Sequence, residues 1–291
     1  MRVTGTHLIE LTTAAAQRAQ EKVAETSAVA SSGLRVDKPS DDPAAWAMAR
    51  RADDRRAASA ARGDAIAQGQ DRLQATDGAL ATIGDLVAQA RSLAVQGASD
   101  GYGPTDRAAL ATQLRSMLDA AVAAGNARTS DGEYVLAGAQ SATPPFDATG
   151  AYQGDGQVRT IEAGEGLAAP VGVPGSALTA AAGVDVLPAL GALADALAAN
   201  DVVGIRASID TLGQATNQIA LARGDAGAAL ASLASADDAR GQLELSLTAT
   251  VSRAVDADAV GAATDLARAS QALEAAQAVA ARVVALTDPA K

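Results

Sequence analysis

Side chains able to do acid–base or nucleophilic chemistry are sparse in this sequence of 291 residues, which has one histidine, His7, and no cysteine. A Ser-His-Asp site would need His7 as its general base, and this residue falls within a predicted terminal helix. The acidic pairs Asp53-Asp54 and Asp237-Asp238 are also predicted to be helical, and adjacent helix residues point about 100° apart. These carboxylates should face solvent separately, and we predict that the chain is not an enzyme.

Two sequence patterns imitate ligand sites, but each lacks an essential part. Residues 256–261 begin like an EF-hand calcium loop, yet Val260 and Ala267 stand where oxygen ligands are required. Helical spacing also runs through this segment, so we predict a continuous helix there. Residues 164–169 imitate a dinucleotide fingerprint, but Pro170 follows where a helix should open. We predict no cofactor and no metal site.

Net charge and hydropathy argue against two further classes of partner. The formal net charge is −11, with 34 acidic against 23 basic residues, so no basic surface for nucleic acid is expected. No run approaches the roughly 18 apolar residues of a membrane-spanning helix. Near the N-terminus, Glu10, Arg18 and Glu21 interrupt the apolar residues, so we expect no cleavable signal sequence. The predicted partners therefore include neither nucleic acid nor a membrane.

A sevenfold spacing of aliphatic residues is the strongest structural signal. It runs through Ile66, Leu73, Leu80, Val87 and Ala94, and it returns in Ile205, Leu212, Ile219, Ala226 and Leu233. A sustained seven-residue repeat indicates coiled-coil packing. The two runs flank a central region that is rich in glycine and proline. We predict that the two repeats pack antiparallel, with the chain termini side by side.

The remaining segments complete a mainly α fold. A first helix is predicted over residues 4–32, with a narrow apolar stripe formed by Leu8, Leu11, Ala15, Ala19, Val23 and Ala30. Thr105 is expected to cap a further helix, and Tyr134–Leu136 is expected to form a short strand. We predict an elongated antiparallel bundle or coiled coil of long helices with a small central β insertion. Its proposed parts are an N-terminal helix with a joint (1–42), an outgoing arm (43–132), the insertion (133–180), a returning arm (181–242) and a C-terminal helix (243–291).

The joint between the first two helices contains most of the functional information. Gly33 suits the left-handed position just beyond a helix end. Asp42 can cap the next helix, and Pro43 suits the first helical position because its missing N–H costs nothing there. These residues therefore predict a well-formed helix–loop–helix connection, whatever else they do.

The joint also resembles the N-terminal signature of the flagellin superfamily. Residues 31–51, SSGLRVDKPSDDPAAWAMARR, contain that pattern, and Pro43 is more typical of hook–filament junction proteins than of flagellins. Residues 132–147, GEYVLAGAQSATPPFD, are similar to a junction-protein pattern that ordinary flagellins lack. Residues 255–266 are similar to an Asp-Ala-Asp run found in both. The tail, residues 285–291, departs from the family pattern because it lacks the common Leu-Ser-Leu-Leu ending.

The resemblance implies a structural role in the bacterial flagellum, outside the cell, in joining hook-associated protein 1 to the flagellin filament. It also implies self-association in a ring or helical layer through paired terminal helices, and export by the flagellar type III apparatus with a chaperone and without a cleaved signal. The residues that the resemblance places at contacts with protomers or partners are Arg35, Asp41, Asp42, Pro43, Leu8, Leu11, Leu266 and Leu273. Two alternatives stay open, a short flagellin that forms the filament itself and an unrelated coiled-coil adaptor.

Overall fold

The computed structural model describes residues 5–287, and within them the chain forms six α-helices and one two-stranded sheet. The helices are α1 (Gly5–Ser32), α2 (Pro43–Gly97), α3 (Pro104–Gly125), α4 (Val186–Ala198), α5 (Val202–Val255) and α6 (Ala259–Thr287). The strands are β1 (Thr160–Gly164) and β2 (Leu167–Pro170), which pair antiparallel, and a short 3-10 turn covers Gly175–Leu178. The predicted mainly α fold with a small β insertion is confirmed.

The described chain forms two compact units. One contains the residues up to Ala58 and those from Leu243 onward, and the other contains Ser59–Gln242. The two longest helices, α2 and α5, each contribute to both units. The predicted division into five parts stays a prediction. It is based on changes in composition along the chain, and the two compact units do not test it.

The seam between α2 and α5 runs through the core of the Ser59–Gln242 unit, to which α3, α4 and the insertion also contribute. Every residue of the two predicted sevenfold runs is buried, with no more than 2% of its surface exposed. Arg240 lies beside Gly63 and Ile219 beside Gly84, so residue numbers fall along α5 as they rise along α2. An ion pair between Asp77 Oδ1 and Arg223 Nε, 2.7 Å apart, bridges the same two helices at the surface. The predicted antiparallel packing of the two repeats is therefore confirmed.

A buried arginine holds the β insertion against α2. Arg72 donates from Nη1 to Glu133 Oε2 at 3.0 Å and from Nη2 to the Tyr134 carbonyl at 2.9 Å. Burial lowers the pKa of the Arg72 guanidinium, and the nearby charge of Arg159 lowers it further, whereas Glu133 acts in the opposite direction. A buried cation is tolerated only where acceptors replace its water. The insertion is therefore fixed to α2 by an ion pair and by hydrogen bonds to its main chain.

The predicted strand at Tyr134–Leu136 is wrong. The main-chain N–H groups of this segment bond to irregular partners, Tyr134 to the Ser141 carbonyl at 2.9 Å and Val135 to the Ala127 carbonyl at 3.1 Å. The apolar residues favour an extended segment, but no neighbouring segment within residues 5–287 is paired with it as a ladder. The strands of the insertion are β1 and β2 instead.

The start of α3 corrects a second prediction. Pro104 is the first residue of α3 and Gly103 is its N-cap, so Thr105 lies inside the first turn and does not cap the helix. The Asp106 carboxylate accepts the Gly103 N–H at 3.0 Å. Proline takes the first position because its fixed φ suits a helix and its missing N–H would have no partner there.

A second buried arginine, Arg107, joins three chain segments beside this cap. It donates from Nε to the Gly97 carbonyl at 2.7 Å and from Nη2 to the Ser99 carbonyl at 3.1 Å. Its Nη1 donates to Oδ1 of Asn200, in the turn between α4 and α5, at 2.5 Å. Asn200 has a φ of +55°, in the left-handed region that asparagine tolerates better than most residues. Arg107 thus satisfies carbonyls that the end of α2 leaves without a helical partner.

In the other unit, the terminal helices α1 and α6 pack against each other, as predicted. The stripe that each helix shields from solvent alternates spacings of three and four residues, which is the pattern of a coiled coil. The alternating set on α1 is Ile9, Thr12, Ala16, Ala19, Val23 and Thr26, and Ala14 and Val29 are also partly shielded. On α6 the alternating set is Ala262, Leu266, Ala269, Leu273, Ala276, Ala280 and Val283, and Gly261 and Ser270 are also partly shielded.

The predicted apolar stripe of α1 is only partly correct. Ala19 and Val23 belong to the shielded stripe, but Leu8, Leu11, Ala15 and Ala30 are exposed. The stripe is displaced because Thr12 and Thr26 enter it, and the Thr26 hydroxyl donates to the Lys22 carbonyl of its own helix at 2.9 Å. A threonine with its hydroxyl satisfied in this way can place its methyl group against a partner helix. An apolar flank therefore stays open on α1.

Replacement of Leu80 by alanine tests the seam between α2 and α5. Leu80→Ala is expected to lower the free energy of unfolding by about 2–5 kcal/mol, because this fully buried side chain would leave a cavity. The matched control is Leu221→Ala on α5, where the leucine is 72% exposed, and the change should stay within about 0.5 kcal/mol. Urea unfolding measures both variants. Equal losses would contradict the placement of Leu80 in the core.

Candidate functional site

The joint between α1 and α2 is a compact loop that begins where α1 ends. Gly33 has a φ of +70°, the left-handed conformation predicted for the residue after a helix, and its N–H donates to the Val29 carbonyl at 2.9 Å. A carboxylate oxygen of Asp41 accepts the N–H groups of Asp37 and Lys38, at 3.1 and 3.2 Å. The loop therefore closes on itself through main-chain and carboxylate hydrogen bonds.

Asp42 caps the start of α2, as the sequence predicts. Its Oδ1 accepts the Ala45 N–H at 3.0 Å, and its carbonyl accepts the Trp46 N–H at 2.9 Å as the first bond of the helix. The Ala45 N–H, and after it Arg35, hold the pKa of the Asp42 carboxyl below its ordinary value. Pro43 occupies the first helical position and is exposed.

A second break in the helices lies directly beside this joint, and it corrects the prediction of a continuous helix over residues 256–261. The helix α5 ends at Val255, and α6 begins at Ala259. The Val255 carbonyl accepts the Arg35 N–H at 2.7 Å, and the Ala257 N–H donates to the Gly33 carbonyl at 2.8 Å. The helical spacing is overridden because these bonds to the α1–α2 joint replace bonds within a helix.

The side chain of Arg35 connects the two breaks. Its Nη2 donates to the Ala254 carbonyl at the end of α5 at 2.7 Å, and its Nη1 lies 3.3 Å from Asp42 Oδ2 at the start of α2. The Arg35 side chain is still 52% exposed and that of Asp42 is 34% exposed. One guanidinium therefore joins a helix C-terminus, where carbonyls lack partners, to a helix N-cap.

A small apolar cluster packs against the joint. Val36, Ala49, Ala254 and Val255 are buried in it, and Trp46 packs against it in a partly buried position. The guanidinium carbon of Arg50 lies 4.5 Å from the centre of the Trp46 ring, in a cation–π contact. The chain's single tryptophan is thus used at this joint.

The structure brings together four of the eight residues predicted at protomer or partner contacts. Arg35, Asp41, Asp42 and Pro43 share the joint, whereas Leu8 and Leu11 lie on the exposed flank of α1, and Leu266 and Leu273 lie on the shielded stripe of α6. Sequence reasoning missed the pairing of residues 255–257 with the joint. The Asp-Ala-Asp run at 256–258 was the available signal, since it matched the same family as the joint.

A cleft of about 580 Å³ in the other unit is the main alternative location for a binding site. It lies between α2, β1 and the turn before Glu133. Three arginines line it, Arg72, Arg128 and Arg159, and so do three carboxylates, Asp71, Asp131 and Glu133, so its formal charges balance and select neither anions nor cations. Arg72 and Arg159 both pair with Glu133.

Residues 5–287 contain no group of three or more His, Cys, Asp or Glu side chains that could hold a metal ion. Across the same residues, no helix has the length and apolar character needed to span a membrane.

Replacement of Asp42 separates its capping role from its charge. Asp42→Ala should be less stable to heat than wild type at neutral pH, and Asp42→Asn should lose less, because asparagine retains a capping oxygen. In the folded chain the pKa of Asp42 lies below its ordinary value of 3.8, so the ionised carboxylate stabilises the fold at any pH above 3.8. This contribution is lost as the pH falls through the lower, folded pKa. Thermal unfolding of wild type and Asp42→Ala should therefore converge in strong acid, and a constant difference would contradict this role.

Comparison with known protein families identifies flagellar relatives. Residues 8–141 match the family model described as the bacterial flagellin N-terminal helical region. Over 125 residues the chain is 30% identical to flagellar hook-associated protein 3 of Salmonella typhimurium. That match covers 43% of this chain and 39% of the Salmonella protein, so it spans well under half of the relative's length.

Solved structures of hook-associated proteins share the fold. A Vibrio parahaemolyticus protein described as flagellar hook-associated is 21% identical with a TM-score of 0.68, covering 74% of this chain and 100% of that chain. Xanthomonas campestris FlgL is 20% identical with a TM-score of 0.62, covering 69% and 99%. Legionella pneumophila hook-associated protein 3 is 14% identical with a TM-score of 0.62, covering 70% and 98%. The resemblance of this chain to the flagellin superfamily, and within it to hook-associated protein 3, is therefore confirmed.

Proposed function

We propose that this chain is a structural subunit of the bacterial flagellum that joins the hook-associated region to the flagellin filament. It contacts hook-associated protein 1 on one side and flagellin on the other, and it associates with copies of itself in a ring or helical layer. A chaperone delivers it to the flagellar type III apparatus, which exports it without a cleaved signal to the cell exterior. The similarity to hook-associated protein 3 supports this proposal.

The observation that carries the proposal is the open apolar flank of α1. Leu8 is 39% exposed and Leu11 is 51% exposed, although the neighbouring stripe of the same helix packs on α6. Leu8 and Leu11 lie one turn apart on α1, and they form an apolar surface that the single chain leaves uncovered. Neighbouring subunits can cover this flank, and burial of apolar surface then stabilises the assembly.

The joint supplies polar groups for the same assembly. Arg35, Asp41 and Pro43 are exposed, while their main chain is held by the bonds that connect the two helix breaks. Such groups contribute to contacts without a large loss of conformational entropy, because the loop is already ordered. Leu266 and Leu273 contribute from the shielded stripe of α6, where they hold α1 in place and keep its flank outward.

A short flagellin is the second candidate, and the match of residues 8–141 to the flagellin N-terminal region favours it. The two candidates differ in self-assembly. A flagellin forms long filaments from the purified chain, whereas a junction subunit stays monomeric until its flagellar neighbours are present. A coiled-coil adaptor would instead form a discrete dimer. Sedimentation and electron microscopy of the purified chain distinguish the three.

Deletion of the gene tests the proposed function directly. The mutant is expected to assemble hooks, to secrete unpolymerised flagellin into the medium and to lack filaments. Electron microscopy of the cells and immunoblotting of the medium provide the measurement, with the complemented strain as control. A deletion strain that grows normal filaments would falsify the proposal.

The α1 flank has its own test. Leu8→Ser combined with Leu11→Ser should abolish complementation of motility but leave the melting temperature of the monomer close to wild type, because both side chains are exposed. Leu221→Ser, an exposed leucine on α5, is the matched control and should complement fully. Normal motility with the double variant would show that the flank is not an assembly contact.

A further inference from the structure

The edge of β1 that faces away from β2 carries main-chain groups without a partner. The Val171 N–H donates to the Arg159 carbonyl at 2.8 Å, so these two residues form a hydrogen-bonded pair of the antiparallel ladder. Such pairs alternate with pairs that exchange no hydrogen bonds, and Thr160, opposite Pro170, belongs to the second kind. The N–H and carbonyl of Thr160 therefore point away from β2.

Glu162 repeats this arrangement two residues later, where it lies opposite Ala168. Among residues 5–287, no segment other than the hairpin itself is bonded to the main chain of Thr160 or Glu162. The outer edge of β2 is less suited to pairing, because Pro170 has no N–H to donate there. The hairpin thus leaves β1 as the edge that can accept a further strand.

The cleft of about 580 Å³ runs along this edge of β1. Three consecutive residues, Arg159, Thr160 and Ile161, line it. Consecutive residues of a strand point to opposite faces of the sheet, so a cleft that all three line lies at the edge of the strand. Because β2 occupies one edge of β1, the cleft lies along the other, beside the unpaired main-chain groups.

We propose that this cleft binds an extended peptide segment of another protein molecule, which adds a third strand to the sheet by pairing with the outer edge of β1. Main-chain hydrogen bonds to Thr160 and Glu162 hold the segment, and the cleft receives its side chains. The cleft has the volume of a site for a small ligand or a short segment, so the partner is a free strand and not the edge of a folded sheet. The inference goes beyond the proposed function and does not rest on it.

The residues that line the cleft define the chemistry of this segment. On the α2 side they include Ala65 and Ala75, small residues that can pack against aliphatic side chains. The turn at residues 128–131 contributes the polar Thr129 and Ser130. The balanced formal charges favour neither an acidic nor a basic segment. The segment is therefore uncharged and about five residues long, like β1, with β-branched aliphatic and polar residues in alternation.

Hydrogen exchange of single amides, followed by NMR on the full chain, tests the edge before any partner is added. Ile161, opposite Ala169, belongs to a hydrogen-bonded pair of the ladder, so its amide should exchange slowly. The Thr160 amide should exchange at least about tenfold faster, because it has no partner in the free chain. Equal protection of the two amides would show that the edge is already paired and would overturn the proposal.

The acetylated and amidated pentapeptide Thr-Val-Thr-Val-Thr is the probe for binding. It should bind saturably and slow the exchange of the Thr160 and Glu162 amides at least about tenfold. The matched control is the same peptide with every N–H methylated, which keeps the side chains but cannot donate to the edge. Its affinity should be lower by at least about tenfold.

Proline substitutions on the two edges locate the bound peptide. Thr160→Pro removes an outward N–H of β1 and none of the bonds to β2, and it should lower the affinity for the pentapeptide at least about tenfold. Ala168→Pro makes the same change on the outer edge of β2 and should bind the pentapeptide like wild type. Thermal unfolding shows whether each variant is folded.

Two further results would overturn the proposal, and neither depends on the stability of a variant. One is the absence of saturable binding by the pentapeptide, and the other is equal affinity for its methylated form. Where both proline variants fold, an equal loss of affinity in the two would likewise contradict pairing at the outer edge of β1.

Discussion

Burial of the sevenfold aliphatic positions of α2 against those of α5 is the interaction on which the larger unit depends. The chain has one phenylalanine, one tryptophan and three tyrosines, so large aromatic side chains cannot supply most of its buried area. The buried residues are instead leucine, isoleucine, valine and alanine, repeated along two helices. Each of these side chains buries a modest apolar area, and together they form a long narrow seam. The seam fixes the register of the two helices over many turns.

Arginine side chains bond to main-chain carbonyls at two helix ends and in the insertion. Arg35 donates to the Ala254 carbonyl at the end of α5, Arg107 to the Gly97 carbonyl at the end of α2, and Arg72 to the Tyr134 carbonyl in the insertion. The planar guanidinium suits this role because it presents several donors in fixed directions. These cations bind main-chain carbonyls and so connect separate elements of a protein whose net charge is −11.

The proposed function follows from the contrast between the two units. The larger unit buries its aliphatic seam completely, whereas the terminal pair shields only a stripe rich in alanine and leaves Leu8 and Leu11 open. A subunit with one fully packed unit and one exposed apolar flank is suited to join neighbours through that flank. The joint lies next to that flank, with exposed charges on a main chain held by hydrogen bonds.

Much of the fold could be predicted from the sequence, because the sevenfold spacing, the glycine after α1 and the Asp-Pro start of α2 each act through local geometry. The helices, their antiparallel order and the cap at Asp42 depend on such local rules, and they agree with the structure. The strand expected at Tyr134–Leu136 and the continuous helix expected over residues 256–261 failed for a common reason. In each segment a main-chain carbonyl accepts a bond from a residue far away in sequence, Leu136 from the Gly175 N–H and Val255 from the Arg35 N–H, which local spacing does not reveal. The stripe of α1 differs for a separate reason, because Thr12 and Thr26 bond their hydroxyls to their own helix and so occupy shielded positions that the prediction gave to apolar residues only. Sequence alone determined most of the helices and the residues of the joint, because these depend on local geometry. Only tertiary structure decided that the two helix breaks meet and that Arg35 binds both, because those bonds join residues far apart in sequence.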